Sequence, residues 1–355
     1  MISTLFPLIF IHVYFTGAKV SKAPPPAKLF RHLARDFDGF ATCFATFLLN
    51  SCLDNNDYHY TMKRVIISVC AVMIAIGASA QHRVESECTH QTITHKGIER
   101  EYWIYVPEEI SSDGAMLVCL HGHGGRARHE NGRLLDLARE HGFIVCYPQG
   151  LKDGKDKNSW NVGYPFQADM KVNDVAFLRK LVRHIQDRYG LSKDNAFLTG
   201  MSNGGEMCYL MAQKDPKLFA GIISMAGLTL ADMPLTYKSP VPFMEVHGTK
   251  DKVSLWEGDP TGQYGWGAYL GVPAAISYVV AGNKCISYSK EELPLKGKNT
   301  VVLHRYTDGA PACKGGIPSE VWLYEVQGGG HNWADKSMDT YAEMWKFMDK
   351  FMHRK

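Results

Sequence analysis

Residues 115–121 read AMLVCLH, an apolar run with no polar residue alternating through it. A run of that kind belongs to a strand buried on both faces, as in a parallel sheet with helices covering each side. FIVCYPQG (143–150), NAFLTG (195–200), FAGIISMAG (219–227) and VPFMEVHG (241–248) have the same character. Residues 102–106, VVLHRY (301–306) and EVWLYEV (320–326) add further strand-like runs. Helical signals lie between them. NGRLLDLAREHG (131–142) has leucines at helical spacing and a glycine stop. Within 174–191, Val175, Leu178, Leu181, Val182 and Ile185 fall on one helical face, with Asp174 where an N-cap would stand. Residues 204–213, 269–280 and 339–353 complete the helical set. The alternation predicts an α/β fold: a mostly parallel sheet with helices on both faces. In such sheets the ligand site lies beyond the carboxyl ends of the strands.

The amino end carries a different signal. MKRVIISVCAVMIAIGASA (62–80) opens on Met62, Lys63 and Arg64, runs through an apolar stretch at 65–76 and ends in Ala78-Ser79-Ala80. A positive start, a short apolar segment and a small-residue site describe a secretory signal peptide. Such a segment belongs at an N-terminus, so translation is expected to start at Met62, with 1–61 an upstream extension. The competing reading is an anchor in the apolar run 5–15, which is short for a membrane span. Cleavage after Ala80 leaves 81–355, room for a single α/β domain. The expected location is secreted or periplasmic, with no stable membrane insertion once the signal is removed. A net charge of +3 gives no electrostatic case for nucleic acid or acidic lipid as a partner. Export permits disulfides, and six of the nine cysteines follow position 80. Cys119 and Cys146 sit inside apolar strand runs, where a buried thiol is the plainer reading.

GMSNGG (200–205) joins the strand run at 195–200 to a helical stretch. It contains Gly-x-Ser-x-Gly centred on Ser202, the spacing of a nucleophile elbow. A serine hydroxyl is a weak nucleophile near neutral pH and needs a base and a group to orient that base. Asp251 follows the strand run at 241–248, and His331 follows the one at 320–326. The order Ser202, Asp251, His331 is that of the α/β-hydrolase triad. His247 and Asp259 compete less well, since His247 precedes the acid and Asp259 lies deeper in a loop. The oxyanion of an acyl transition state needs donors. One is expected from the backbone N–H of Asn203, after the nucleophile. LHGHGG (120–125) supplies the other from the His123 N–H, with Gly124 as the fallback. His121 and His123 alone, with no third ligand at sensible spacing, do not make a metal site.

LHGHGG, YPQG, SWN, NDVAFL, GMSNGG, VHGTKD, NKC and GGGHNW follow one another along the chain. In that order they resemble the secreted poly(3-hydroxybutyrate) depolymerase-like proteins, a group that includes feruloyl and acetylxylan esterases. The resemblance covers residues 95–350. It implies an α/β-hydrolase fold and hydrolysis of a small or oligomeric carboxylic ester without metal or organic cofactor. It carries the triad onto Ser202, Asp251 and His331. The residue after His-Gly in the oxyanion loop is often cysteine, glycine or another small residue in that group. Here it is His123, whose side chain is expected to narrow the acyl pocket or touch substrate. Trp160, Tyr164 and Trp333 are candidate aromatic walls for a sugar or phenolic group, with plain packing as the equal alternative. Cys285 and Cys313 lie in loop-like stretches between the acid and the histidine, and the family's matching cysteines point to a disulfide between them. The substrates implied are feruloyl or acetyl esters of plant polysaccharide fragments, or hydroxyalkanoate esters. A serine peptidase of the same fold and a non-catalytic carbohydrate-binding relative remain the alternatives.

Overall fold

The computed structural model describes residues 87–354 apart from 128–131, 234, 264 and 313–315. The extension 1–61, the signal segment 62–80 and Cys313 therefore lie outside the described residues. Among the described residues ten strands build the main sheet. The first half of the chain gives β1 Thr89–His95, β2 Ile98–Tyr105, β3 Met116–Leu120, β4 Ile144–Pro148 and β5 Ala196–Met201. The second half gives β6 Gly221–Met225, β7 Phe243–Gly248, β8 Ser287–Glu292, β9 Val301–Thr307 and β10 Val321–Val326. Their spatial order is β1-β2-β4-β3-β5-β6-β7-β10-β9-β8. Strands β4, β3, β5, β6, β7 and β10 run parallel, and antiparallel pairs flank them at both edges.

Helices α1 Arg133–His141, α2 Asp174–Tyr189, α3 Asn203–Lys214, α4 Val272–Asn283 and α5 Thr340–Phe351 cover the two faces. The pleat divides each apolar run between them. Met116, Val118 and Leu120 of β3 face one core with residues of α2, α3 and α4. Leu117 and Cys119 face the other, with residues of α1 and α5. Both cores therefore draw on the run that reads as continuous apolar sequence. Burying one such leucine or valine contributes about 1.5–3 kcal/mol.

The N-cap of α2 is Asn173, whose side chain accepts the Ala176 N–H at 2.9 Å. Asp174, expected to cap, is instead the first helical residue; it is buried and pairs with Arg100 of β2 at 2.9 Å. Tyr269–Leu270, expected to open a helix, pairs as a short ribbon with Gly258–Asp259. The helix α4 starts three residues later, with Pro273 in its first turn. Strands β1 and β8 have no apolar run to announce them. All six residues of β8 are exposed, and the strand exists through backbone pairing with β9.

Candidate active site

Ser202 stands between β5 and α3 with φ 56° and ψ −123°, a backbone conformation that non-glycine residues seldom adopt. Its N–H donates to Met225 O at 2.8 Å, and its carbonyl accepts the Glu206 N–H at 2.9 Å. The turn is tight because its neighbours lack side chains. A Cβ on Gly200 would stand 2.5 Å from Gly204 backbone, and one on Gly204 would stand 2.6 Å from Leu120 O. The crowding of glycines around Ser202 is thus a packing requirement between α3, β5 and β3.

Asp251 follows β7. Its Oδ1 accepts the N–H groups of Val253 at 2.7 Å and Ser254 at 3.0 Å, and its side chain is fully buried. Oδ2 accepts from His331 Nδ1 at 2.7 Å. His331 follows β10 and keeps a partly exposed ring. With Nδ1–H given to Asp251, the lone pair of Nε2 is the free basic position. The two loops run side by side: Lys250 N–H donates to Gly329 O at 2.8 Å and Thr249 N–H to Val326 O at 3.0 Å. A side chain on Gly248 would collide with the Gly329 carbonyl. Asp251 and His331 therefore meet across 80 residues of chain, and Ser202 occupies the same carboxyl rim of the sheet.

Strand order, elbow and the Asp251–His331 bond converge on one architecture. The chain has the α/β-hydrolase fold.

The loop 120–125, expected to supply an oxyanion donor, follows β3. A Cβ on Gly122 would lie 3.4 Å from Ser202 Cβ, so the loop touches the elbow. Among the described residues no protein acceptor takes the His123 or Asn203 backbone N–H. Gly124, the fallback donor, is not available: its N–H is spent on Asn158 O at 2.8 Å. Asn158 also donates Nδ2 to Gly125 O at 2.9 Å, which braces the loop. His121 is a further brace, contacting Gly122 O through Nδ1 at 2.8 Å and accepting the Gly150 N–H through Nε2 at 2.9 Å.

The His123 side chain is anchored rather than free. Its Nε2 lies 2.7 Å from Asp153 Oδ2, and its ring packs against Phe166 and Trp266 at centroid distances of 5.4 and 5.3 Å. Burial pushes the Asp153 carboxyl up, but N–H bonds from Lys155 and Lys157 together with His123 outweigh it and hold it below its usual range. Lys155 Nζ sits 3.8 Å from the centre of the Phe166 ring.

Two of the expected aromatic walls belong to the core instead. Trp160 is 0% exposed; its indole N–H donates to His121 O at 3.0 Å, and its backbone N–H to Asn203 Oδ1 at 2.7 Å. It locks the oxyanion loop to the start of α3 and leaves no face for a ligand. Tyr164 is 2% exposed and gives its hydroxyl to Glu206. Both are buried because the 158–167 loop folds over α3, which local sequence does not record. Trp333 is half-buried and stacks on Tyr341 of α5 at 6.3 Å. Phe166, Trp266 and Lys155 are the residues that sequence reasoning passed over; their only local signal is an aromatic within a glycine-rich loop. Cys285, just past the Lys284 C-cap of α4, is a half-buried thiol 3.8 Å from Ser319 O, pushed up to about 11 by burial. Gly309 passes close enough that a Cβ there would lie 3.0 Å from Cys285 Sγ, four residues before Cys313.

Residues 133–254 match the prolyl oligopeptidase family, a stretch that holds Ser202 and Asp251 and ends before His331. Acetylxylan esterase A of Aspergillus oryzae is 30% identical over 148 residues, 39% of this chain and 47% of that protein. Feruloyl esterase B of Neurospora crassa is 29% identical over 132 residues, 36% of this chain and 44% of its own length. The chain spans less than half the length of these two relatives. Among solved structures, an acetyl xylan esterase from Aspergillus awamori aligns over 72% of this chain and 99% of its own, with 18% identity and a TM-score of 0.47. No helix among the described residues is long and apolar enough to cross a membrane.

Proposed function

We propose that the protein is a serine carboxylic-ester hydrolase. Ser202 Oγ gives its proton to His331 Nε2 and attacks the ester carbonyl carbon. The tetrahedral oxyanion takes hydrogen bonds from the backbone N–H groups of His123 and Asn203. The intermediate collapses, the C–O bond to the alcohol breaks, and the leaving oxygen receives the proton from His331. Water then enters, gives a proton to the same imidazole and releases the acid, restoring Ser202. Asp251 fixes the imidazole tautomer and stabilises the imidazolium. The observation that carries this reading is the 2.7 Å Asp251–His331 bond at the same sheet rim as the positive-φ serine. The scheme calls on no metal or organic cofactor and on no nucleic acid.

Two further features support a reading of the substrate class. The named esterase relatives favour acetyl or feruloyl esters of polysaccharide fragments, with hydroxyalkanoate esters next. A cleft of about 480 Å³ opens beside the oxyanion loop, lined by Glu99, Glu101, Trp103, Arg126, Lys152 and Asn158. One aromatic face among hydrogen-bonding side chains suits a sugar, and Asn158 ties the cleft to the loop. The match to the prolyl oligopeptidase family supports peptide hydrolysis as a second reading. Purified protein is assayed on acetyl, feruloyl and 3-hydroxybutyryl esters and on a peptide amide, alongside Trp103→Ala. Turnover of the esters, with a raised KM for oligosaccharide esters alone in Trp103→Ala, supports the first reading. Turnover of the amide alone supports the second. Binding of xylo-oligosaccharides without turnover of any ester or amide would support a non-catalytic carbohydrate-binding relative. Export is read from the N-terminus of secreted protein, expected at Gln81.

A further inference from the structure

Behind the acid of the triad lies a second histidine that the hydrolytic steps do not use. His247 and Glu245 are two residues apart on β7, so their side chains leave the same face of the sheet, and both are fully buried. His247 Nε2 donates to Ser254 O at 2.8 Å. A carbonyl can only accept, so this nitrogen carries a proton. Nδ1 lies 2.9 Å from Glu245 Oε1, an oxygen that also receives the Gly227 N–H at 3.3 Å. One proton is therefore shared between the imidazole and the carboxyl group. His247 Nε2 is also 3.7 Å from Asp251 Oδ2, the oxygen that holds His331.

The other titratable groups facing the pair come from α3. Glu206 is fully buried; burial first, and then the charge of Glu245, push its carboxyl well above the usual range. Tyr209 is pushed up in the same way and stays a phenol. Trp256 closes the pocket with its ring 6.0 Å from that of His247. Two carboxyl groups, Glu245 and Asp251, then flank a single imidazole in a dry interior; burial pushes Glu245 up, against the opposing pull of its bond to His247.

We propose that His247 is a positioning residue for the triad: an imidazolium, held by Glu245 and the Ser254 carbonyl, that stands behind Asp251 and lowers the proton affinity of the Asp251–His331 couple. Burial alone pulls His247 down, but its bond to Glu245 and the charges of Glu245 and Asp251 leave it above the ordinary histidine range. The cation faces the Asp251 oxygen that receives the His331 Nδ1 proton. The inference rests on the triad reading.

The test compares kcat/KM against pH on a soluble acetyl ester for the wild-type chain, His247→Gln and Glu245→Gln, with melting curves at each pH. Removing a charge within about 4–6 Å shifts a carboxylate by roughly 1–3 pH units. The acid limb of His247→Gln should therefore move up by about one unit or more, with kcat reduced and KM little changed. Glu245→Gln removes the counter-ion of the imidazolium, and its limb should move in the same direction. Folded variants whose limbs stay in place would overturn the proposal, as would a downward shift in Glu245→Gln. If His247→Gln does not fold, the isosteric Glu245→Gln decides. Nitrogen-15 shifts of His247 at neutral pH need no turnover and should report both ring nitrogens protonated; a neutral imidazole there would sink the proposal even if the triad reading stands. Absence of ester turnover in the wild-type chain would instead count against the triad reading.

Discussion

At the scale of single residues, the site is a set of protons with assigned places. On the proposed mechanism Ser202→Ala and His331→Ala each remove a partner in proton transfer, and ester turnover should fall by roughly a millionfold, as it does in one well-characterised serine hydrolase. Asp251→Asn keeps the shape but offers its amide to Nδ1, so the wrong tautomer is favoured and the loss should be about ten-thousandfold. Steady-state assays of folded variants check both, and near-normal turnover in Ser202→Ala would remove the serine mechanism. The Asp153–His123 contact predicts a pH effect of its own. The Asp153 carboxyl lies below its usual range in the fold, so its contribution to stability is present above the unfolded value of about 3.9 and is lost as pH falls through the folded value. Asp153→Asn should therefore melt lower than wild type at neutral pH, and the gap should close in acid. A gap that stays constant down to pH 2 would argue against a carboxylate held by the Lys155 and Lys157 N–H groups and His123.

At the scale of elements, the elbow depends on how closely a helix can approach two strands. Strand β5, the turn at Ser202 and α3 pack so tightly that a Cβ on Gly204 has no room beside Leu120 O. Gly204→Ala should destabilise the domain by about 1–3 kcal/mol and displace the serine, so activity falls further than stability. Melting curves and turnover measured on the same preparation separate the two effects; equal behaviour to wild type would mean that the turn relaxes freely. The acid and histidine loops obey a similar constraint. They are stitched by backbone bonds between 249–250 and 326–329, so the Asp251–His331 geometry is set by two parallel strands, β7 and β10, lying side by side.

At the scale of the whole molecule, ten strands in one sheet bring three distant segments to a common rim. The segment between the acid and the histidine crosses β8 and β9, and a Cys285–Cys313 bridge would close about 28 residues of it. On chain entropy such a bridge would contribute roughly 3.6 kcal/mol. Reduction should therefore lower the melting temperature of exported protein, and a non-reduced peptide map should contain one linked peptide; two separately alkylated peptides would dismiss the bridge. The amino-acid sequence alone determined the parallel sheet, because strands buried on both faces need unbroken apolar runs. It also determined the elbow and the order of Ser202, Asp251 and His331, because turn chemistry and strand ends are local signals. It was silent about β1 and β8, which are held by backbone pairing and carry little apolar content. It left Trp160 and Tyr164 open between substrate wall and plain packing, because exposure depends on what folds over a ring, and that is a contact between remote segments. The pairing of His247 with Glu245 behind Asp251, and the anchoring of His123 on Asp153, were decided only by the tertiary structure. Hydrogen bonds between buried side chains depend on distance and direction in space, and neither is written in the spacing of residues along the chain.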